Sequence, residues 1–262
     1  LNGDLTIMIE IRHRSIANGL SIRDAYDALY QERCLVMPDS FYLWLLHLVD
    51  AQKGQLLIDV ACGNGRLVQL ARARGIHAIG LDLSIQGIAK AANSRELGYW
   101  IVADGQKLPI ENYCADIVMS IGSLEHYANP LEGVSQITKL VKPQGIVCVL
   151  LPNAYGMLGN ILSVLRTGEV FDDRQPLQRY ATRRTWEAML RKGGLCIDRV
   201  VPFNEFVLPR TPIDLFQSIR RPQKYIKGLI SRITPLNLTN HFVFLCHPAS
   251  HFSESFYPML AY

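Results

Sequence analysis

Long hydrophobic runs are missing from this chain. Its most apolar stretches, residues 41–49 and 146–151, fall well short of the ~18 apolar residues that a membrane-spanning helix needs, and His47 interrupts the first. The N-terminal stretch has no basic segment leading into an apolar one, so no secretory leader is expected there. Charge of one sign is scarce as well: 27 Lys and Arg stand against 23 Asp and Glu, a net charge of +4. That balance is too mild to argue for a nucleic-acid partner. The six cysteines are scattered, with no CxxC pair and no Cys/His spacing suited to zinc, so neither a disulfide framework nor a metal site is expected. Cys148, Cys196 and Cys246 fall in apolar runs, where they read as small buried hydrophobes in a reducing, cytoplasmic compartment. Internal repeats and low-complexity tracts are absent.

What is there is a globular composition. The 262 residues are 49% apolar and 19% charged, which fits one large domain or a domain with an appended segment. Short apolar runs alternate with helical patterns through the middle of the chain. Strands are expected at 55–60, 76–81, 99–103, 117–121, 146–151, 195–201 and 242–246. Helices are expected at 65–74, at 85–93 behind the N-cap Ser84, at 130–141 behind Pro130, and from Thr182 to the Gly193-Gly194 stop. Two further helices, 22–30 and 41–49, precede the first strand. This order predicts an α/β fold: a doubly wound, mostly parallel, seven-stranded Rossmann-like sheet. Residues 1–54 then form an N-terminal helical segment, and 55–262 the main domain. Residues 153–181 and 202–240, after strands five and six, have no clean period and read as insertions.

The informative stretch is Leu57-Ile58-Asp59-Val60-Ala61-Cys62-Gly63-Asn64-Gly65. A buried strand feeding small residues and a helix N-terminus lets a ligand approach the backbone. A Gly-x-Gly turn alone is weak evidence, since it also serves as a plain strand-to-helix turn. Context strengthens it. Asp82 ends strand two, where a carboxylate can accept both hydroxyls of a ribose. Asp104, followed by Gly105, ends strand three, where a carboxylate can accept from an exocyclic amino group. Each acid alone reads as a cap or a solvated loop. Together with Asp59 they converge on one crevice at the strand C-termini.

These motifs resemble the class I S-adenosylmethionine-dependent methyltransferases. The likeness rests on the glycine turn, Gly80-Leu81-Asp82-Leu83-Ser84, Ala103-Asp104-Gly105, Leu124-Glu125-His126 and Leu140-Val141-Lys142-Pro143-Gln144-Gly145. It covers residues 55–152 closely and 179–247 loosely, and within the superfamily it looks like the small-molecule enzymes of the ubiquinone-biosynthesis type. The resemblance implies S-adenosylmethionine as cofactor. It places Asp59, Ala61, Gly63 and Gly65 around the methionine moiety, Asp82 on the ribose and Leu83 against the adenine. Asp104 and Gly105 would bind the adenine edge, and Ser120, Ile121 and Gly122 would line the cofactor opposite the glycine turn. The family usually has Gly where Ala61 stands. His126 is the candidate general base, because it follows strand four and titrates near neutrality.

A small-molecule or lipid-like acceptor is expected, with oxygen favoured over nitrogen or carbon, and with the two insertions acting as a lid over it. The basic stretch 210–233 offers a peripheral contact with a membrane surface, although a solvated helix face explains it as well. Two rivals stand beside this reading. An NAD-dependent oxidoreductase would want a third glycine where Val68 stands. An inactive methyltransferase-like binding partner would have no need of Asp59, Gly63, Gly65, Asp82 and Asp104 together.

Overall fold

A computed structural model of the chain describes residues 8–13, 19–33, 35–93, 98–206, 212–213 and 233–249. The chain enters through strand β1 (Met8–Arg12) and helices α1 (Ile22–Glu32) and α2 (Asp39–Leu48). Strand β2 (Leu56–Val60), helix α3 (Arg66–Arg72), strand β3 (His77–Asp82), helix α4 (Ile85–Ala92) and strand β4 (Tyr99–Val102) follow. Next come β5 (Ala115–Ile121), α5 (Pro130–Leu140), β6 (Val141–Pro152), the short helix α6 (Leu162–Thr167) and β7 (Leu177–Ala181). Helix α7 (Arg183–Lys192) and strands β8 (Leu195–Phe203) and β9 (His241–Pro248) complete the order.

Seven of the strands form one sheet in the order β4-β3-β2-β5-β6-β9-β8. β2 pairs in parallel with β3 and β5, β3 with β4, and β5 with β6, whereas β9 runs antiparallel between β6 and β8. The expected fold class is therefore the observed one. The strand order reverses between β2 and β5. A crevice opens at the C-terminal ends of those two strands, the position where sheets of this kind bind ligands.

Alternate residues of the central strands feed opposite faces. Ile58 and Val60 join Val118, Val134, Ile137 and Trp186 on one side. Leu57 joins Ile117, Met119, Phe41, Leu45, Leu67 and Ala71 on the other. Helix α2 is thus a covering element of the sheet, which is why its apolar run is too short for a membrane and long enough for a core. Caps fall where the sequence places them: Ser84 Oγ accepts from Gly87 N at 3.0 Å, and Thr182 Oγ1 accepts from Thr185 N at 3.3 Å.

The small second sheet was not expected. β1 and β7 pair antiparallel, Met8 with Ala181 and Arg12 with Leu177. One strand lies in the presumed helical N-terminus and the other in the presumed irregular insertion. Arg179 fastens this sheet to the loop after β5. Its guanidinium pairs with Glu10 at 2.8 Å and donates to the carbonyls of Glu125, Tyr127 and Ala128. Among the described residues no helix is long and apolar enough to cross a membrane.

Candidate active site

The crevice at the switch point widens into a cavity of about 1070 Å³. Pockets that hold one drug-sized ligand run roughly 300–1,000 Å³, so this cavity stands just above the upper end of that range.

One end is built by the glycine turn. Ala61, Gly63 and Gly65 all take left-handed backbone angles, with φ of 63°, 57° and 76°. Ala61 therefore stands where glycine is favoured, at a cost of roughly 1–2 kcal/mol for a residue with a Cβ. Glycine would give back about 0.4–1 kcal/mol through the freer unfolded chain. Ala61→Gly is expected to raise stability by about 0.5–1 kcal/mol, seen as a higher urea midpoint at unchanged m-value. A lower midpoint would contradict this strain account.

The two glycines do different work. A Cβ on Gly63 would sit 2.6 Å from Tyr30 Oη, so the turn is closed down by helix α1. A Cβ on Gly65 would strike the Trp100 ring and Ala91 instead. Gly65 does not line the cavity; its bare face lets α3 pack against β4, so a side chain there strains the fold itself. Ser120 also stands back from the cavity, fully buried, with its hydroxyl bonded to Ser123 Oγ at 2.6 Å.

Asp82 locks the turn to the neighbouring strand. Its Oδ2 accepts from Gly63 N and its Oδ1 from Ser84 N, both at 2.8 Å. Each carboxylate oxygen can accept a second bond, so both remain able to receive ligand hydroxyls. Burial raises the Asp82 pKa to about 6, against the opposing pull of the Ser84 and Gly63 amides. Asp59, at the end of β2, is pushed up to about 8 by burial and then by the charge of Asp82. Asp104 accepts from Gln106 N at 2.9 Å, and a Cβ on Gly105 would collide with Tyr127 Oη. Asp59, Ala61, Gly63, Asp82, Leu83 and Asp104 line the cavity on this side. Gly105, Ile121, Gly122 and His126 line it too.

His126 is buried, and its Nδ1 donates to the Leu177 carbonyl of β7. Burial lowers its pKa. Its Nε2 stands 3.8 Å from Glu125 Oε1. Glu125 is buried as well, with its pKa raised to about 8 by desolvation. It was visible in the sequence only as the neighbour of the histidine. Tyr26 and Tyr30 of α1, Gln178 and Tyr180 of β7, and His241 of β9 also reach the wall and were not anticipated.

The start of the first insertion and the end of the second are tied together. Asn153 Nδ2 donates to the carbonyls of Asn237 at 2.9 Å and Thr239 at 2.7 Å, and Asn240 Oδ1 accepts from Leu158 N at 3.1 Å. The basic stretch 210–233 lies almost wholly outside the described residues, which include only residues 212, 213 and 233 of it. Among the described residues no group of three or more His, Cys, Asp or Glu is arranged to hold a metal ion.

A methyltransferase-domain family model matches residues 58–149, the segment from β2 to β6 that carries the glycine turn, Asp82 and Asp104. Among curated proteins, the malonyl-(acyl-carrier protein) O-methyltransferase of Pectobacterium atrosepticum is 21% identical over 71% of this chain and 68% of its own. The ubiquinone biosynthesis O-methyltransferase of Bordetella avium is 29% identical over 40% of this chain, and the match spans 45% of the relative. Phosphoethanolamine N-methyltransferase 2 of Haemonchus contortus, solved with phosphomonomethylethanolamine and S-adenosylhomocysteine, superposes with a TM-score of 0.59 at 18% identity over 88% of this chain and 61% of that one. The cavity suits the same cofactor: paired acids with spare acceptor capacity and bare glycine backbone at the turn. With these motifs in this order on this sheet, the family match and the likenesses support a class I S-adenosylmethionine-dependent methyltransferase with S-adenosylmethionine as cofactor.

Proposed function

We propose that the chain transfers the methyl group of S-adenosylmethionine to a small-molecule or lipid-like acceptor held in the same cavity. The observation that carries this reading is the cavity of about 1070 Å³ whose wall includes both Asp82, Asp104 and the glycine turn and the Glu125–His126 pair. In this reading Asp82 accepts the two ribose hydroxyls and Leu83 packs on the adenine. Asp104 and the Gly105 backbone meet the adenine edge. Asp59, Ala61 and Gly63 surround the methionine moiety, Gly65 sets the turn, and Ile121 and Gly122 form the opposing wall, with Ser120 buried behind them. When bound, the cofactor supplies an electrophilic methyl group on a sulfonium.

The chain's own contribution is then positioning. Holding acceptor and donor in near-attack geometry is worth up to ~7–11 kcal/mol. The two insertions, 153–181 and 202–240, are proposed as the lid that orders the acceptor and excludes water. His126 lies at the acceptor end beside Glu125. The oxygen-methylating relatives favour a hydroxyl acceptor. Peripheral contact with an anionic surface through 210–233 is a further proposal, carried by the cations at Arg210, Arg220, Arg221, Lys224, Lys227 and Arg232.

The test is to incubate the protein with methyl-tritiated S-adenosylmethionine and a small-molecule extract, then separate the products by solvent and mass. Label in an extractable molecule of low mass is expected. Label confined to unreacted cofactor or to protein would overturn the reading.

A further inference from the structure

The acceptor end of the cavity has a chemistry of its own. Glu125 is only 4% exposed, yet its Oε2 has no hydrogen-bond partner. A buried carboxylate oxygen left unpaired in a cavity wall is a place for a ligand donor. The other carboxylate oxygen, Oε1, stands 3.8 Å from His126 Nε2, and a Cβ on Gly122 would be 3.7 Å from it. Glu125 thus lies between the cofactor-side wall at the end of β5 and the chamber beyond. His126 is held from behind, because its Nδ1 donates to the Leu177 carbonyl, so Nε2 is the nitrogen facing Glu125.

The rest of that chamber is acidic. Asp173 is close enough to act electrostatically on Glu125, His126 and His241. Glu205 stands 3.9 Å from His241 Nδ1. Against these acids, Arg23 is the one Lys or Arg among the described lining residues. Arg33 and Arg179 stand nearby but do not line the cavity: Arg33 Nη2 donates to the carbonyls of Asp173 and Arg174, and Arg179 pairs with Glu10 and donates to the carbonyls of Glu125, Tyr127 and Ala128. An anionic acceptor would meet three carboxyl groups with Arg23 alone among the described lining cations to pair with. Tyr26, Phe171, Tyr180 and Phe203 supply flat apolar wall for the body of a ligand.

Building on the proposed methyl transfer, we propose that the acceptor is an uncharged or cationic, ring-bearing molecule that presents an O–H or N–H to Glu125 Oε2, and that this oxygen takes its proton. The step balances as follows. The acceptor oxygen or nitrogen forms a bond to the methyl carbon, the carbon–sulfur bond breaks with its electron pair staying on sulfur, and the acceptor's proton moves to the Glu125 carboxylate. The positive charge of the sulfonium and the negative charge of the carboxylate are consumed together.

The experiment uses the full chain saturated with S-adenosylhomocysteine and four probes of one size: catechol, benzylamine, benzoate and phenyl phosphate. Calorimetric titration should show catechol or benzylamine binding at least tenfold more tightly than either anion. Glu125→Gln should weaken the preferred probe at least tenfold, while S-adenosylhomocysteine affinity stays within twofold and thermal unfolding remains cooperative. Equal or tighter binding of benzoate or phenyl phosphate overturns the proposal, as does binding of none of the four. A tenfold loss of S-adenosylhomocysteine affinity in Glu125→Gln also overturns it, because Glu125 would then be a cofactor contact. A native chain that fails to bind S-adenosylhomocysteine at all fails at the first titration, and there the methyltransferase reading falls and takes this inference with it.

Discussion

Asp82→Ala should weaken S-adenosylmethionine binding by about tenfold to a hundredfold. Two ribose hydroxyls would lose their charged acceptor, a net loss of ~1.5–3 kcal/mol in all, at about 1.4 kcal/mol per decade of affinity. The geometry adds a second cause, since the same carboxylate holds the amides of Gly63 and Ser84 at 2.8 Å. Losing it frees the turn as well as the ribose site. Asp82→Asn separates the two causes: its side-chain oxygen can still accept from one amide, so its loss should be the smaller. Calorimetric titration of the cofactor into both variants checks this, with a cooperative thermal transition confirming the fold. An unchanged affinity in folded Asp82→Ala would remove the ribose assignment.

Cofactor affinity should also rise with pH between about 6 and 8, with release of up to about one proton on binding. Asp59 and Asp82 are raised to about 8 and about 6 in the empty cavity, chiefly by burial. A raised folded-state pKa means that the folded chain binds the proton more tightly than the unfolded chain does. The stability from these groups is fully present below an ordinary carboxylate pKa and is lost as pH rises through about 6 for Asp82 and about 8 for Asp59. The ligand-free protein should therefore melt lower at pH 8 than at pH 6. A bound sulfonium and ammonium reverse the preference, favour the ionised carboxylates and expel the proton. S-adenosylhomocysteine, which lacks the sulfonium charge, should release less. Titrations in phosphate and in Tris, buffers of different ionisation enthalpy, read the proton count directly. A pH-independent affinity with identical enthalpies in both buffers would contradict the assignment of Asp59.

The parts of the site that were legible in the sequence are the local ones. Strand, turn and helix lie within a dozen residues of one another around Gly63, so period and glycine placement reveal them. Asp82 and Asp104 follow the same logic at the ends of the next two strands. The rest depends on partners distant in the chain. β7 was unreadable because its run of five residues is stabilised by pairing with β1, with Arg179 reaching Glu10 across 169 positions. The seal over the cofactor end was hidden for the same reason: Asp27 of α1 accepts from Ser84 Oγ at 2.5 Å, and the Tyr30 hydroxyl occupies the space beside Gly63. Glu125 was in plain view, but only burial turns an ordinary exposed-type residue into an unpaired carboxylate. Gly65 shows the opposite case. Its place in the motif suggested ligand contact, and its surroundings show that packing against Trp100 requires it.

The central claim is that the cavity at the β2–β5 switch point holds S-adenosylmethionine through the glycine turn and Asp82. The most direct test is calorimetric titration of S-adenosylhomocysteine and of NADH into the native chain. The account predicts saturable one-to-one binding of S-adenosylhomocysteine and no heat from NADH. Saturable binding of NADH with none of S-adenosylhomocysteine would contradict it.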